Sequence, residues 1–178
     1  DQWLTFERML SDLYHIDTDF YYSILPTATP YSRNAIFAGL YPSEIEQYYR
    51  KFWSSTVNGD ESSLNKDEAE LLSAQMKRMN YSFTPRYEKV LQQQHGKRIL
   101  DRLNDYMQVP FNAFVFNFVD TLVHSRSDSD ILREIAPDVP AFRALAKTWF
   151  AHSNLLQIFR ELAKKDVRIV VTTDHGSV

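Results

Sequence analysis

The sequence contains no cysteine. That absence removes disulfides, thiolate nucleophiles and Cys-ligated zinc together, leaving histidine and carboxylate side chains as the metal ligands available. No apolar run reaches the about 18 residues of a membrane-spanning helix, and no signal-peptide pattern opens the chain. Basic excess is missing too: 20 Lys and Arg stand against 23 Asp and Glu, a net charge of −3. The chain as a whole therefore offers no field for duplex nucleic acid. Internal repeats and low-complexity tracts are absent. What the chain does have is core material. Its 178 residues are 44% hydrophobic and 14% aromatic, which suits one globular domain and argues against disorder. It opens at Asp1 rather than Met and ends in "TTDHGSV" directly after an apolar run. Both ends therefore read as cut, and the expectation is a piece of a larger protein.

Three short runs have the composition of strands buried on both faces of a parallel sheet: "DFYYSIL" (19–25), "AFVFNFVD" (113–120) and "VRIVVTTD" (167–174). Helical patterns lie between them. "PYSRNAIFAG" has Pro30 at a first helical position and Gly39 at a stop. "SEIEQYYRKFW" carries a capping-box pair, Ser43 and Glu46. "NKDEAELLSAQMKRM" has Asn65 as cap, acids in its first turn and Lys77 and Arg78 in its last. The stretch 141–166 reads as one long helix with Leu145, Trp149, Leu156 and Phe159 at helical spacing. "RILDRLNDYM" (98–107) reads as a short helix, and "ILREI" as another with Asp130 as cap. Residues 54–64, with Asn58-Gly59, and 125–130 read as loops. Strand–helix alternation predicts an α/β fold with a mainly parallel sheet flanked by helices, residues 54–112 forming a helical and loop insertion between core strands.

In such sheets ligands bind at the carboxyl ends of the strands. The first run delivers Thr27 and Thr29, the second Asp120 with His124 four residues on, and the third Asp174-His175-Gly176. Each piece has a plain reading: Thr29 as a helix N-cap, Asp120 and His124 as a solvated pair, Asp-His-Gly as a turn. Together they are the layout of a metal site, since Asp oxygen and His nitrogen are standard zinc ligands. Five candidate positions exceed what one catalytic zinc takes, and two metals sharing a phosphate is the natural extension. A hydroxyl at a helix N-terminus faces unpaired N–H groups and the positive end of the dipole, where phosphate oxygens also bind. A metal on it would make Thr29 an alkoxide nucleophile. Arg33, one turn later, reads either as a phosphate clamp or as a solvent-facing helix residue. His15, His95 and His152 are given no role.

The runs "PTATPYSRNAIFAGLYP", "VDTLVH" and "TTDHGS" together resemble the alkaline phosphatase superfamily, and within it the PglZ domain. The wording of "DQWL" and "ILPTATPYSRNAIFAGLYPSEI" is similar to the PglZ output domain of PorX-type response regulators, which belong to two-component systems tied to type IX secretion in Bacteroidetes. The resemblance covers most of the chain. It implies an alkaline-phosphatase-like fold, present in part, and a phosphodiesterase or phosphatase holding two Zn2+, with Mn2+ the alternative. It implies Thr29 as nucleophile, Asp120 and His124 on one zinc, and Thr29, Asp174 and His175 on the other. A further Asp and a further His of the family pattern would precede Asp1 and follow Val178. An Arg four residues after the nucleophile in the sulfatase branch matches Arg33. A sulfatase itself would need Cys or Ser where Thr29 stands. The implied partners are a phosphodiester or oligonucleotide substrate, a sigma factor or other regulatory protein, and a second copy of the chain in a homodimer. A membrane and duplex DNA are not among them, and the implied location is cytoplasmic. The competing expectation keeps the fold but makes it a non-catalytic regulatory module, with 54–64 and the aromatic helix 43–53 as contact surfaces.

Overall fold

The computed structural model describes residues 2–57 and 65–176. In chain order they form α1 (Gln2–Leu10), α2 (Thr29–Ala38), α3 (Pro42–Tyr48), α4 (Arg50–Val57), α5 (Glu68–Arg78), β1 (Arg86–Val90), α6 (Gln93–Asp101), α7 (Leu103–Tyr106), β2 (Asn112–Phe116), α8 (Phe118–Asp128), α9 (Asp130–Ile135), α10 (Val139–His152) and α11 (Asn154–Leu162). The two strands pair in one small parallel sheet. No helix among the described residues is long and apolar enough to cross a membrane.

The chain divides into two compact units. The first comprises Asp1–Asp19, Lys89–Met107 and Phe114–Val170. Its apolar helix faces gather as expected for amphipathic helices. Leu10 of α1, Phe150 of α10 and Leu156 and Phe159 of α11 are buried together, with Phe6 stacked on Phe150 at 4.3 Å between ring centroids. Each such side chain contributes about 1.5–3 kcal/mol on burial. A second cluster joins Val90, Ile99, Leu103, Tyr106 and Ile158. The expected helix 141–166 is two helices. The break is Ser153, whose hydroxyl donates to the Phe150 carbonyl at 2.8 Å and accepts from Leu156 N–H at 3.2 Å. Serine at an N-cap favours a fresh start over continuation.

The second unit comprises Phe20–Glu88, Gln108–Ala113 and Val171–Val178. Here α2 lies against α5, and Ala38, Ile45, Trp53 and Leu71 form the buried core. Gly39 ends α2 at φ 59°, a left-handed cap suited to glycine.

Of the mainly parallel sheet expected from the sequence, the described residues form only the β1–β2 pair. The run 113–120 becomes β2 and then the start of α8, so Asp120 sits in a first helical turn rather than at a strand end. Residues 19–25 and 167–174 form no strand. Their apolar side chains lack the neighbouring strands and helices that would bury them: Phe20 is 89% exposed, Tyr22 101% and Leu25 85%. Smaller corrections follow the caps. Helix α3 starts two residues early, with Tyr41 N–H donating to Glu44 Oε2 at 2.7 Å in place of the Ser43–Glu46 pair. Ser129, not Asp130, caps α9. Residues 54–57 continue α4, residues 125–128 belong to α8, and the Asn58-Gly59 turn and Asp1 lie outside the described residues.

Candidate active site at Thr29

Thr29 is the first helical residue of α2, and Ala28 before it is the N-cap, making no side-chain cap bond. The threonine hydroxyl is therefore not spent on capping. It reaches across the second unit instead, and Oγ1 lies 2.8 Å from His175 Nε2. The other ring nitrogen fixes the direction of that bond. His175 Nδ1 is 2.8 Å from the Gly176 carbonyl, which can only accept, so Nδ1 carries the proton in the neutral ring. Nε2 is then an acceptor, and Thr29 O–H donates to it.

Two irregular segments hold this pair. Tyr21 O–H donates to the Thr173 carbonyl and stands 3.1 Å from Thr172 Oγ1, while Ser23 Oγ donates to the Asp174 carbonyl at 2.6 Å. Both chains advance in the same direction through these contacts, so residues 21–23 and 172–174 keep a parallel register through side-chain bonds. The chain then turns at Thr173, whose hydroxyl donates to the His175 carbonyl at 2.7 Å. Asp174 accepts from His175 N–H through Oδ1 at 3.2 Å. Its Oδ2 is buried without a hydrogen-bond partner, 3.8 Å from His175 Nε2.

That orphan oxygen bears on the metal expectation. An uncommitted buried carboxylate oxygen, an imidazole nitrogen and a hydroxyl within a few ångströms are a donor set of the kind zinc takes. Thr29, Asp174 and His175 thus carry the donor types that one ion would take. Asp120 and His124 stand at i, i+4 on α8 in the first unit. Among the described residues no three His, Asp or Glu side chains group so as to hold a metal ion. Thr27 is exposed.

Arg33 is one turn past Thr29, and its Nε donates to Glu68 Oε1 at 2.6 Å. It is not a solvent-facing residue: its side chain is 13% exposed and that of Glu68 is 0%. Tyr87 O–H donates to the other oxygen, Glu68 Oε2. Burial, then the charge of Glu68 and the hydrogen bond to it, push the Tyr87 phenol well above its ordinary value, against an opposing pull from Arg33. Asn65, at φ 64°, donates through Nδ2 to the Thr29 carbonyl and to Asn34 Oδ1, each at 3.2 Å. Sequence reasoning placed Asn65 as the cap of α5, where the structure has Asp67, took Glu68 as a dipole-matching acid and missed Tyr87.

The sequence profile of one protein family, described as the BREX system PglZ alkaline phosphatase-like domain, matches residues 1–178. No curated protein matches the chain.

Proposed function

The chain belongs to the PglZ family of alkaline phosphatase-like domains, and on that footing we propose that it is a zinc-dependent phosphoesterase acting on phosphodiesters, such as cyclic or linear oligonucleotides, through Thr29. One observation carries the reading: Thr29 Oγ1 lies 2.8 Å from His175 Nε2 at the N-terminus of α2. A hydroxyl is a weak nucleophile until a neighbouring group activates it, and Nε2 is the atom placed to take its proton. Oγ1 attacks phosphorus in line with the leaving oxygen. The Oγ1–P bond forms, the bond to the leaving group breaks, and the hydroxyl proton passes to Nε2 where that nitrogen is free of metal, and otherwise to the departing oxygen. Water then attacks phosphorus, the Oγ1–P bond breaks, Thr29 recovers its proton, and a phosphate monoester departs. The positive end of α2 and the Arg33 guanidinium counter the charge on the phosphoryl oxygens. In the zinc-loaded protein Thr29, Asp174 and His175 would hold the ion, Nε2 would be spent as a ligand, and the metal would supply Lewis-acid stabilisation and lower the hydroxyl pKa in place of that nitrogen, with Asp120 and His124 the donors for a second ion and manganese the alternative metal.

The finer placement is that of a cytoplasmic output domain in a two-component response regulator linked to type IX secretion. It rests on the likeness of "DQWL" and "ILPTATPYSRNAIFAGLYPSEI" to the PorX type. Replacing Thr29 by Ala in the full-length protein should lower zinc-supported hydrolysis of bis-(p-nitrophenyl) phosphate by about a thousandfold or more. Turnover equal to the parent's would remove Thr29 as nucleophile.

A second reading, the regulatory binding module, draws on a separate feature of the second unit. A groove of about 710 Å³ is lined by Tyr49 and Phe52 and by Glu70, Ser73, Lys77 and Arg78 of α5. Aromatic rings beside basic side chains suit a protein partner such as a sigma factor. Loss of partner binding on Phe52→Ala with unchanged hydrolysis would assign the groove to that role and leave the enzyme reading intact.

A further inference from the structure

We propose that Glu68, together with Asn65 and Tyr87, is a positioning frame that sets Arg33 and Thr29 for the phosphoryl group; this rests on the reading of Thr29 as nucleophile. The frame has two rungs. Residues 65 and 68 are spaced by about one turn, as are residues 29 and 33, and they pair in order: Asn65 Nδ2 to the Thr29 carbonyl, Glu68 Oε1 to Arg33 Nε. The first rung fixes the backbone of the residue that bears the hydroxyl. The second fixes the plane of the guanidinium, because the Nε–H lies in that plane. Tyr87 closes the frame from the far side. Its O–H donates to Glu68 Oε2, and its ring packs edge-on against Phe37 of α2 at 5.4 Å.

Stability alone does not account for the arrangement. A wholly buried carboxylate facing a nearly buried guanidinium costs desolvation that an apolar pair of the same volume would avoid. The α2–α5 contact already has such an apolar core in Ala38 and Leu71. Asn65 likewise adopts a left-handed backbone that most residues avoid, with its side chain directed to Thr29 and Asn34. Both costs are borne by side chains that bond to Thr29 or to Arg33 one turn on. A guanidinium anchored through Nε presents its fork in one orientation, as bidentate recognition of phosphate oxygens requires.

The test uses the full-length zinc-loaded protein and four variants: Glu68→Gln, Tyr87→Phe, Arg33→Lys and Glu68→Gln/Arg33→Lys. Orthovanadate binding by titration calorimetry and kcat for bis-(p-nitrophenyl) phosphate are the readouts, with thermal unfolding as control. Glu68→Gln should weaken orthovanadate binding and lower kcat by about tenfold each, with KM for the substrate little changed. Tyr87→Phe should act in the same direction and less strongly. In the Arg33→Lys background, Glu68→Gln should add almost nothing, because it acts through Arg33. Losses that multiply in the double variant would overturn the proposal, and so would a lowered unfolding midpoint with unchanged vanadate affinity and kcat. If Glu68→Gln does not fold, Tyr87→Phe carries the same two readouts. Full turnover by Thr29→Ala, run in the same series, would sink the nucleophile reading separately, since vanadate binding reports on the frame without chemistry.

Discussion

The hydroxyl of Thr29 donates to Nε2 of His175, 146 positions away in the chain, across 2.8 Å. Because Ala28 rather than Thr29 is the N-cap of α2, the bond serves the site more than the helix. Activity and stability should therefore separate at this residue. Thr29→Ala should abolish turnover while removing one partly buried hydrogen bond, worth about 1 kcal/mol. A change of that size shifts Tm by about 2–4 °C in a chain of this length. Thr29→Ser keeps the hydroxyl and should keep most activity. A fall in Tm far beyond that range for Thr29→Ala would mean that the residue is chiefly structural.

His175 is tethered at both ring nitrogens, so its two roles can be distinguished. His175→Gln keeps an amide that can bond Thr29 but cannot take a proton. It should lower kcat at least a hundredfold, within the range general-base loss produces, with Tm within a few degrees of the parent. Circular dichroism melts alongside kcat would decide the matter. Turnover retained by the glutamine variant would remove Nε2 as proton acceptor.

Gly39 should tolerate no side chain. Its φ of 59° is left-handed, and a methyl group there would sit 2.3 Å from Gln75 Nε2. Gly39→Ala should cost about 1–2 kcal/mol from the backbone alone, plus whatever displacement of Gln75 requires. Chemical denaturation would measure it. The double variant Gly39→Ala/Gln75→Ala should recover the steric part and leave the backbone part, and full recovery would show that the left-handed φ is not what glycine is there for.

Alkaline pH should loosen the second unit through Tyr87. Its folded pKa is raised above the ordinary value of 10.0 by burial first and then by Glu68. A raised folded pKa means the native state holds the proton more tightly than the unfolded chain. The resulting stability is fully present below pH 10 and is lost as pH rises above it, because the unfolded phenol ionises first. Tyr14, raised by burial, works in the same direction in the first unit. Tyr87→Phe should therefore unfold less steeply with rising pH than the parent, as followed by denaturant midpoints between pH 8 and pH 11. Identical slopes for the two proteins would contradict the buried hydrogen bond to Glu68.

The residues of the site that were legible in the sequence are those whose chemistry stood out locally. Thr29 sits between two prolines at a helix start, and Asp174 and His175 follow an apolar run; each signal lies within a few residues. The helices α2 and α5 were legible for the same reason, through Pro30, Gly39 and the charge gradient of 65–79. Residues 19–25 and 167–174 misled because strand formation is not a local property. Their composition suits a central strand, but a ladder needs partners on both sides, and here the register is kept by Tyr21 and Ser23 side chains. Glu68 was illegible as a site residue because its partners, Arg33 and Tyr87, are 35 and 19 residues away. Nothing in a helix's first turn distinguishes a dipole-matching acid from a buried one. Ser153 shows the same limit on a smaller scale: apolar spacing runs through it unbroken, and only its hydrogen bonds end α10.

Metal binding divides the candidate residues into two sets, one in each unit. If Thr29, Asp174 and His175 hold one ion and Asp120 and His124 contribute to another, the two sets should fail independently. Asp174→Asn replaces a carboxylate whose Oδ2 has no hydrogen-bond partner, so folding should lose little. Zinc content in the full-length protein should fall by one ion per chain. Asp120→Asn should remove the other ion and leave the Thr29–His175 hydrogen bond in place. Chelation by EDTA should remove both and abolish hydrolysis, and zinc should restore it in the parent but not in either variant. Elemental analysis of the three proteins, alongside turnover before and after chelation, makes the comparison. Hydrolysis that survives complete removal of metal would mean that His175 Nε2 acts on Thr29 as a proton acceptor alone, and it would withdraw the zinc from the proposed function. Zinc bound with the parent's stoichiometry by the Asp174→Asn protein would instead move the ion elsewhere and leave the buried oxygen of Asp174 without a role in metal binding.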